Sequence, residues 1–260
     1  MDTQFIPLDQ FQAFLIVTSR VAGFVGAIPV FSSGQTPARI KTSLAVLLSL
    51  VLFPVMKPAV IGLATDITNF SLIIVSELLL GLLLGLVARL IFTAVEFGAT
   101  VIGYQMGFAA ANVFDPQNQR QVALISQFQN VFSILIFLAI NGHHIFLQTA
   151  VLSYDLLPPG HLNLSGDAVP YLMELSSHMF ALGVQFSAPV LTVLLLSGLI
   201  LGILARVFPQ LNVFLISFPV NIGTAFIVIA LTLPLISMLL RREFDSLGER
   251  FFTILNYLSI

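Results

Sequence analysis

The chain has 260 residues, of which 58% are hydrophobic and only 8% charged, and its mean hydropathy is +1.03. Soluble domains use roughly a quarter charged residues to cover their surface, so lipid or protein must cover most of this chain, and it reads as an integral membrane protein. The 10 basic and 12 acidic side chains nearly cancel, which leaves no field for nucleic acid, and the lack of cysteine removes disulfides, thiolate metal sites and a cysteine nucleophile.

Apolar stretches lie near 11–31, 43–64, 71–104, 128–152, 179–205 and 211–240. At about 20 residues per span, this predicts about six hydrophobic helical stretches arranged in hairpins. In hydrocarbon every backbone N–H and C=O needs an internal partner, and these runs lack the alternation of a barrel strand, so the fold class is an all-α, polytopic helical membrane protein. Asp2 and Asp9, rather than a basic leader, precede the first stretch, which is therefore expected to be a retained helix. The stretch 71–104 would reach about 50 Å as one helix, against a hydrocarbon core of about 30 Å, and is expected to bend or break near Gly98 or Gly103.

A connection over 105–127 divides the chain roughly in half. The polar segment 153–177 carries Asp155, Asp167 and Glu174 and no Lys or Arg, as a solvated loop would. The whole is expected to form one helical membrane domain over 1–260: N-terminal helices to 104, the 105–127 connection, a helix and polar loop over 128–178, a helical hairpin over 179–240 and an amphipathic tail over 241–260. In the tail, Phe244, Leu247, Phe251, Leu255 and Leu258 recur every three or four residues, predicting a surface helix on an interface or partner that the fold does not require. Charge bias sets the Arg39/Lys41 loop inside and the 153–177 loop outside, but a further full span would then carry Arg241 and Arg242 outside. Either the last stretch, with Pro219 and Pro234, does not cross as one helix, or the chain is not a conventional bundle in lipid.

Five charges fall within apolar stretches: Arg20, Glu77, Arg89, Glu96 and Arg206. Each costs about 2.5–3.5 kcal/mol at a lipid-exposed helix centre, so a buried polar network is expected, with Glu77 meeting a polar partner. Glu77 and Arg89 are about 18 Å apart along one helix and must find partners elsewhere. Snorkelling at helix ends, or static pairing, is the plainer account of such residues. Small residues four apart, Ala22/Gly26, Gly23/Ala27, Gly81/Gly85 and Gly198/Gly202, predict close helix packing.

The sequence holds no zinc-protease, nucleophile-elbow, phosphate-loop or dinucleotide motif, and adjacent His143 and His144 cannot share a metal as an i,i+4 pair does. No enzymatic activity, cofactor or metal is expected. A secondary transporter or channel using Glu77 and Arg89 as an intramembrane polar site is the rival to a subunit of a protein assembly.

In order along the chain come Arg20-Val-Ala-Gly-Phe-Val-Gly-Ala-Ile-Pro29, Pro37-Ala-Arg-Ile-Lys41, Glu77-Leu-Leu-Leu-Gly81-Leu-Leu-Leu-Gly85, Gln105-Met-Gly-Phe108 with Asp115-Pro116, and Asn141-Gly-His143. Leu204-Ala-Arg206-Val-Phe-Pro209-Gln-Leu-Asn212 and Phe218-Pro219-Val-Asn-Ile-Gly223 follow. From about residue 5 to residue 250 this order resembles the FliR family of flagellar biosynthesis proteins and its injectisome counterpart. The resemblance implies a non-enzymatic core subunit of the type III export gate, in the bacterial inner membrane at the flagellar basal body. It implies assembly with FliP-like and FliQ-like subunits, contact with FlhB-like and FlhA-like components, passage of unfolded protein substrates, and helical packing largely lifted out of lipid. It also implies that Met106, Gly107, Phe108, Asn112, Phe114, Asp115 and Pro116 belong to a plug in the central pore. Bulky apolar side chains on a glycine-released segment among polar residues suit a deformable seal.

Overall fold

The computed structural model describes residues 7–28, 37–60, 66–107, 123–163 and 166–259. These are almost entirely helical, with no strand among the described residues. The helices are α1 (Leu8–Ala27), α2 (Ala38–Val60), α3 (Ile67–Gln105), α4 (Ala123–Ala139), α5 (Gly142–Leu156), α6 (Ala168–Val207), α7 (Val213–Asp245) and α8 (Leu247–Ser259). By length and composition, four helical segments among the described residues suffice to cross a membrane, or five if α4 and α5 count as one broken span. The polytopic helical class is thus as expected.

The helices differ in places from the apolar stretches of the sequence. The 71–104 stretch does not break: α3 runs unbroken from Ile67 to Gln105. Its start is capped by Asp66, whose Oδ1 accepts the Ile67 N–H at 2.8 Å, as a helix N-terminus requires. The last long stretch is likewise one helix, α7, through Pro219 and Pro234. The run 128–152 is divided between α4 and α5 at Asn141, whose φ of 57° is left-handed. Asn-Gly is a turn dipeptide, and a hydropathy window averages it away.

The chain forms two compact units. The first comprises residues 1–90, 141–175 and 245–260, the second 91–140 and 176–244. In the first, α1 buries Ala13, Ile16, Val17, Val21 and Val25 in one cluster with Met56 of α2, Ile73 of α3 and Tyr154 of α5. That is the i, i+3, i+4 stripe of an amphipathic helix. Beside it Phe24 stacks on Phe146 at 5.0 Å, and Phe251 of α8 meets both rings edge-on at 5.8 and 5.5 Å. The tail is therefore core rather than accessory: Leu247, Phe251, Ile254, Leu255 and Leu258 are all buried, and the Leu258 carbonyl accepts the Asn163 N–H at 3.0 Å. The sequence stripe was real, but its counterpart is this chain and not a membrane surface.

In the second unit α6 and α7 are joined by the turn 208–212 and by Ser197 donating to Asn221 Oδ1 at 2.9 Å. Phe92, Phe137 and Phe244 interlock with ring centroids 5.2–5.8 Å apart. Gly98 and Gly183 bring α3 and α6 into backbone contact, since a Cβ on Gly98 would lie 2.6 Å from the Gly183 carbonyl oxygen. Gly98 is thus a packing point, which is why no break is needed there.

Truncating a buried Phe costs about 3–5 kcal/mol. Phe251→Ala should lower the thermal midpoint of the detergent-purified protein and open the first unit to protease. A midpoint equal to wild type would return α8 to the role of a dispensable surface helix.

Candidate functional site

Arg20 occupies the core-facing stripe of α1, between Val17 and Phe24, and Glu77 the corresponding face of α3, between Ile73 and Leu80. Helical spacing alone turns both charges inward. They meet there: Arg20 Nε donates to Glu77 Oε2 at 2.5 Å, with each side chain only 2% exposed. Arg20 Nη1 donates to Ser153 Oγ and Nη2 to the Leu157 carbonyl, each at 3.0 Å. Ser153 gives its own proton to the Ala150 carbonyl, so it meets the guanidinium as an acceptor. Glu77 Oε1 takes the Gly160 N–H at 3.4 Å, and the guanidinium carbon lies 3.8 Å over the Tyr154 ring. One ion pair therefore ties α1, α3, the end of α5 and the turn after it, all within the first unit.

The approach of α1 to α3 makes this pairing possible. A Cβ on Gly23 would lie 2.6 Å from the Leu78 carbonyl oxygen, and one on Gly81 would collide with the carbonyl of Arg20 itself. Gly85 faces Ala27 in the same way. Among the expected packing glycines, Gly23, Gly81 and Gly85 thus seat the ion pair, whereas Gly26, Gly198 and Gly202 have no atom near a would-be Cβ in this chain.

The five expected polar residues do not form one network. Arg20 and Glu77 pair, while Arg89, Glu96 and Arg206 are exposed. Glu77 meets Arg20 rather than Arg89, and both of its carboxylate oxygens are occupied, so the pair acts as a clamp. Ser153, Tyr154, Leu157 and Gly160 were not singled out by sequence reasoning. Two of them contribute backbone groups, which leave no mark in side-chain patterns. In the second unit, His178 Nε2 lies 3.1 Å from Glu243 Oε2 and links α6 to α7. Among the described residues no cluster of His, Asp or Glu could hold a metal.

Of the expected plug residues, Met106 and Gly107 are described, and Phe108, Asn112, Phe114, Asp115 and Pro116 lie outside the described residues. Met106 is fully buried in the second unit among Ala99, Ile102, Ile125, Val190, Leu194, Ala225 and Ile229. Gly107 follows with φ +94°, and a Cβ there would also press within 3.0 Å of the Phe218 ring. Only glycine accepts both demands without strain.

The sequence model of bacterial export proteins, family 1, matches residues 11–247. The flagellar biosynthetic protein FliR of Bacillus subtilis strain 168 is 35% identical over 242 residues, covering 92% of each chain. That of Escherichia coli K12 is 30% identical over 222 residues, 84% of this chain and 83% of the relative. FliR of Caulobacter vibrioides is 26% identical over 243 residues, 93% of this chain and 97% of the relative.

Removing one partner of a buried ion pair strands the other charge and costs about 3–5 kcal/mol, whereas replacing both with apolar residues is far milder. Glu77→Leu and Arg20→Met should each lower the thermal midpoint strongly, and the double variant should recover much of the loss. Additive losses in that double-mutant cycle would show that the two side chains do not act as a pair.

Proposed function

This chain belongs to family 1 of the bacterial export proteins, the FliR family, and is a membrane component of the flagellar export apparatus, and from that premise we propose that it is a non-enzymatic core subunit of the type III protein-export gate. It contributes part of the conduit through which unfolded substrates leave the cytoplasm. The family match carries the reading, and the chemistry of the described residues supports it. The buried charges Arg20, Glu77 and Glu243 each have a partner that neutralises or shares them. The clamp positions helices, and it leaves neither carboxylate oxygen open to a substrate.

The surface suits an assembled subunit. On α6 and α7, Leu195, Leu199, Ile203, Phe214 and Leu231 are exposed, and Gly198, Gly202 and Gly223 stand open. FliP-like and FliQ-like subunits are the proposed neighbours, with FlhB-like and FlhA-like components nearby, in the bacterial inner membrane. The connection that starts at Gly107 is the proposed plug. Met106, packed in its own chain's core, then anchors the plug's root, and the bulky residues Phe108 and Phe114 beyond it provide the seal. Burying a Phe contributes about 1.5–3 kcal/mol, enough for a few such contacts to close a pore reversibly.

Detergent extraction of the tagged protein should bring down chains of different kinds in one complex; a homo-oligomer by itself would favour a transporter or channel. Replacing residues 108–121 by a Gly-Ser linker should leave that complex intact while raising ion leakage across the cell membrane. Wild-type conductance with the altered chain confirmed in the complex would reduce the segment to an ordinary connector.

A further inference from the structure

Helix α4 buries polar side chains. Leu124, Phe128, Val131, Leu135 and Leu138 are exposed, whereas the face turned into the second unit carries Ser126, Gln129 and Ser133 beside Ile125 and Phe137, all buried. The three polar residues lie at i, i+3 and i+7, one above another on a single stripe. Gln129 is only 1% exposed, yet neither its Nε2 nor its Oε1 has a hydrogen-bond partner. A buried amide left in this state is costly, and such groups in native proteins are nearly always satisfied by protein or by ordered water.

The proton inventory on this stripe says what would satisfy it. Thr100 of α3 donates its hydroxyl proton to the Glu96 carbonyl at 2.7 Å, so in its 2.9 Å contact with Ser126 the serine is the donor. Ser133 donates to the Gln129 backbone carbonyl at 2.8 Å. Both serine protons are therefore committed, and each serine has only lone pairs left to offer. Gln129 adds one acceptor and two N–H donors. A bare cation would meet the serine oxygens and Oε1 but be opposed by the amide N–H groups. A water molecule matches the set, because it accepts from Nε2 and donates to Oε1 and to a serine oxygen.

We propose that the second unit contains an internal hydration site on the inward face of α4, in which ordered water is held by the Gln129 carboxamide with Ser126 or Ser133. Buried water needs two to four polar partners, and this stripe supplies them. The site is independent of the export role. It makes the α4 packing a polar, water-linked joint within the second unit.

The test uses the full-length protein purified with whatever chains accompany it. Gln129→Met keeps the length of the side chain and removes both amide atoms. If water is held there, the substitution strands it and lowers the thermal midpoint by roughly 2–4 °C, the shift that a loss of one bridging interaction produces in a domain of this size. A raised midpoint, as expected from relieving a dry orphan amide, would overturn the proposal. Should the variant fail to assemble, a wild-type density map fine enough to show ordered water decides: density within hydrogen-bond reach of Gln129 supports the site. Its absence, or a protein group on the amide, refutes it.

Discussion

The Arg20 to Glu77 ion pair is the contact on which the first unit depends. Removing two charges from water costs several kcal/mol each, and the pair is tolerable only because the two charges meet directly and each has further hydrogen bonds. Arg20 spends its donors on Glu77, Ser153 and the Leu157 carbonyl, and Glu77 receives the Gly160 N–H on its second oxygen. The stabilisation is thus conditional on geometry. If the turn 157–160 or the second half of α1 moves, a buried charge is left unmatched. That all-or-none character is what makes a buried ion pair a device for specifying position more than for adding stability.

The glycines at the α1 to α3 crossing belong to the same constraint. Gly23 and Gly81 place backbone against backbone where the two helices cross, beside the guanidinium and the carboxylate. An alanine at 81 would push on the carbonyl of the very residue that carries the guanidinium. Packing and electrostatics in this unit are therefore coupled through one residue, Arg20. The aromatic trio Phe24, Phe146 and Phe251 then closes the unit with the last helix of the chain, α8.

Much of this was legible in the sequence, and the misses have definite causes. That Glu77 meets a polar partner was expected from the cost of a charge against lipid, and the glycine pairs pointed to close crossings. The pairing of Glu77 with Arg20 did not follow, because 57 residues separate them and half of the clamp is backbone. For α8 the apolar stripe was correct but ambiguous: a stripe reports that a face is buried, never what buries it. Asn141-Gly142 carried a turn signal that a long window suppressed. The expected break in α3 rested on length alone, and length does not limit a helix that has more than one neighbour along its course. Gln129 drew no attention at all, since a lone Gln in an apolar helix looks ordinary until its surroundings are known.

The three remaining intrahelical charges, Arg89, Glu96 and Arg206, bear on what surrounds the helices. Arg89, in the first unit, and Glu96, in the second, are both exposed. Against acyl chains each would cost about 2.5–3.5 kcal/mol near the bilayer centre, while a neighbouring Leu returns only about 0.6. Water or polar protein at each of them removes that cost. The same holds for Arg206, at the end of α6 beside the exposed turn 208–212. Positive-inside counting presumes that basic residues sit at the ends of lipid-bathed spans, where translocation acts on them. In this chain Arg20 lies within an apolar helix and is consumed by an internal ion pair, so it carries no information on orientation. A subunit whose charged faces are met by other chains would leave this pattern in its sequence.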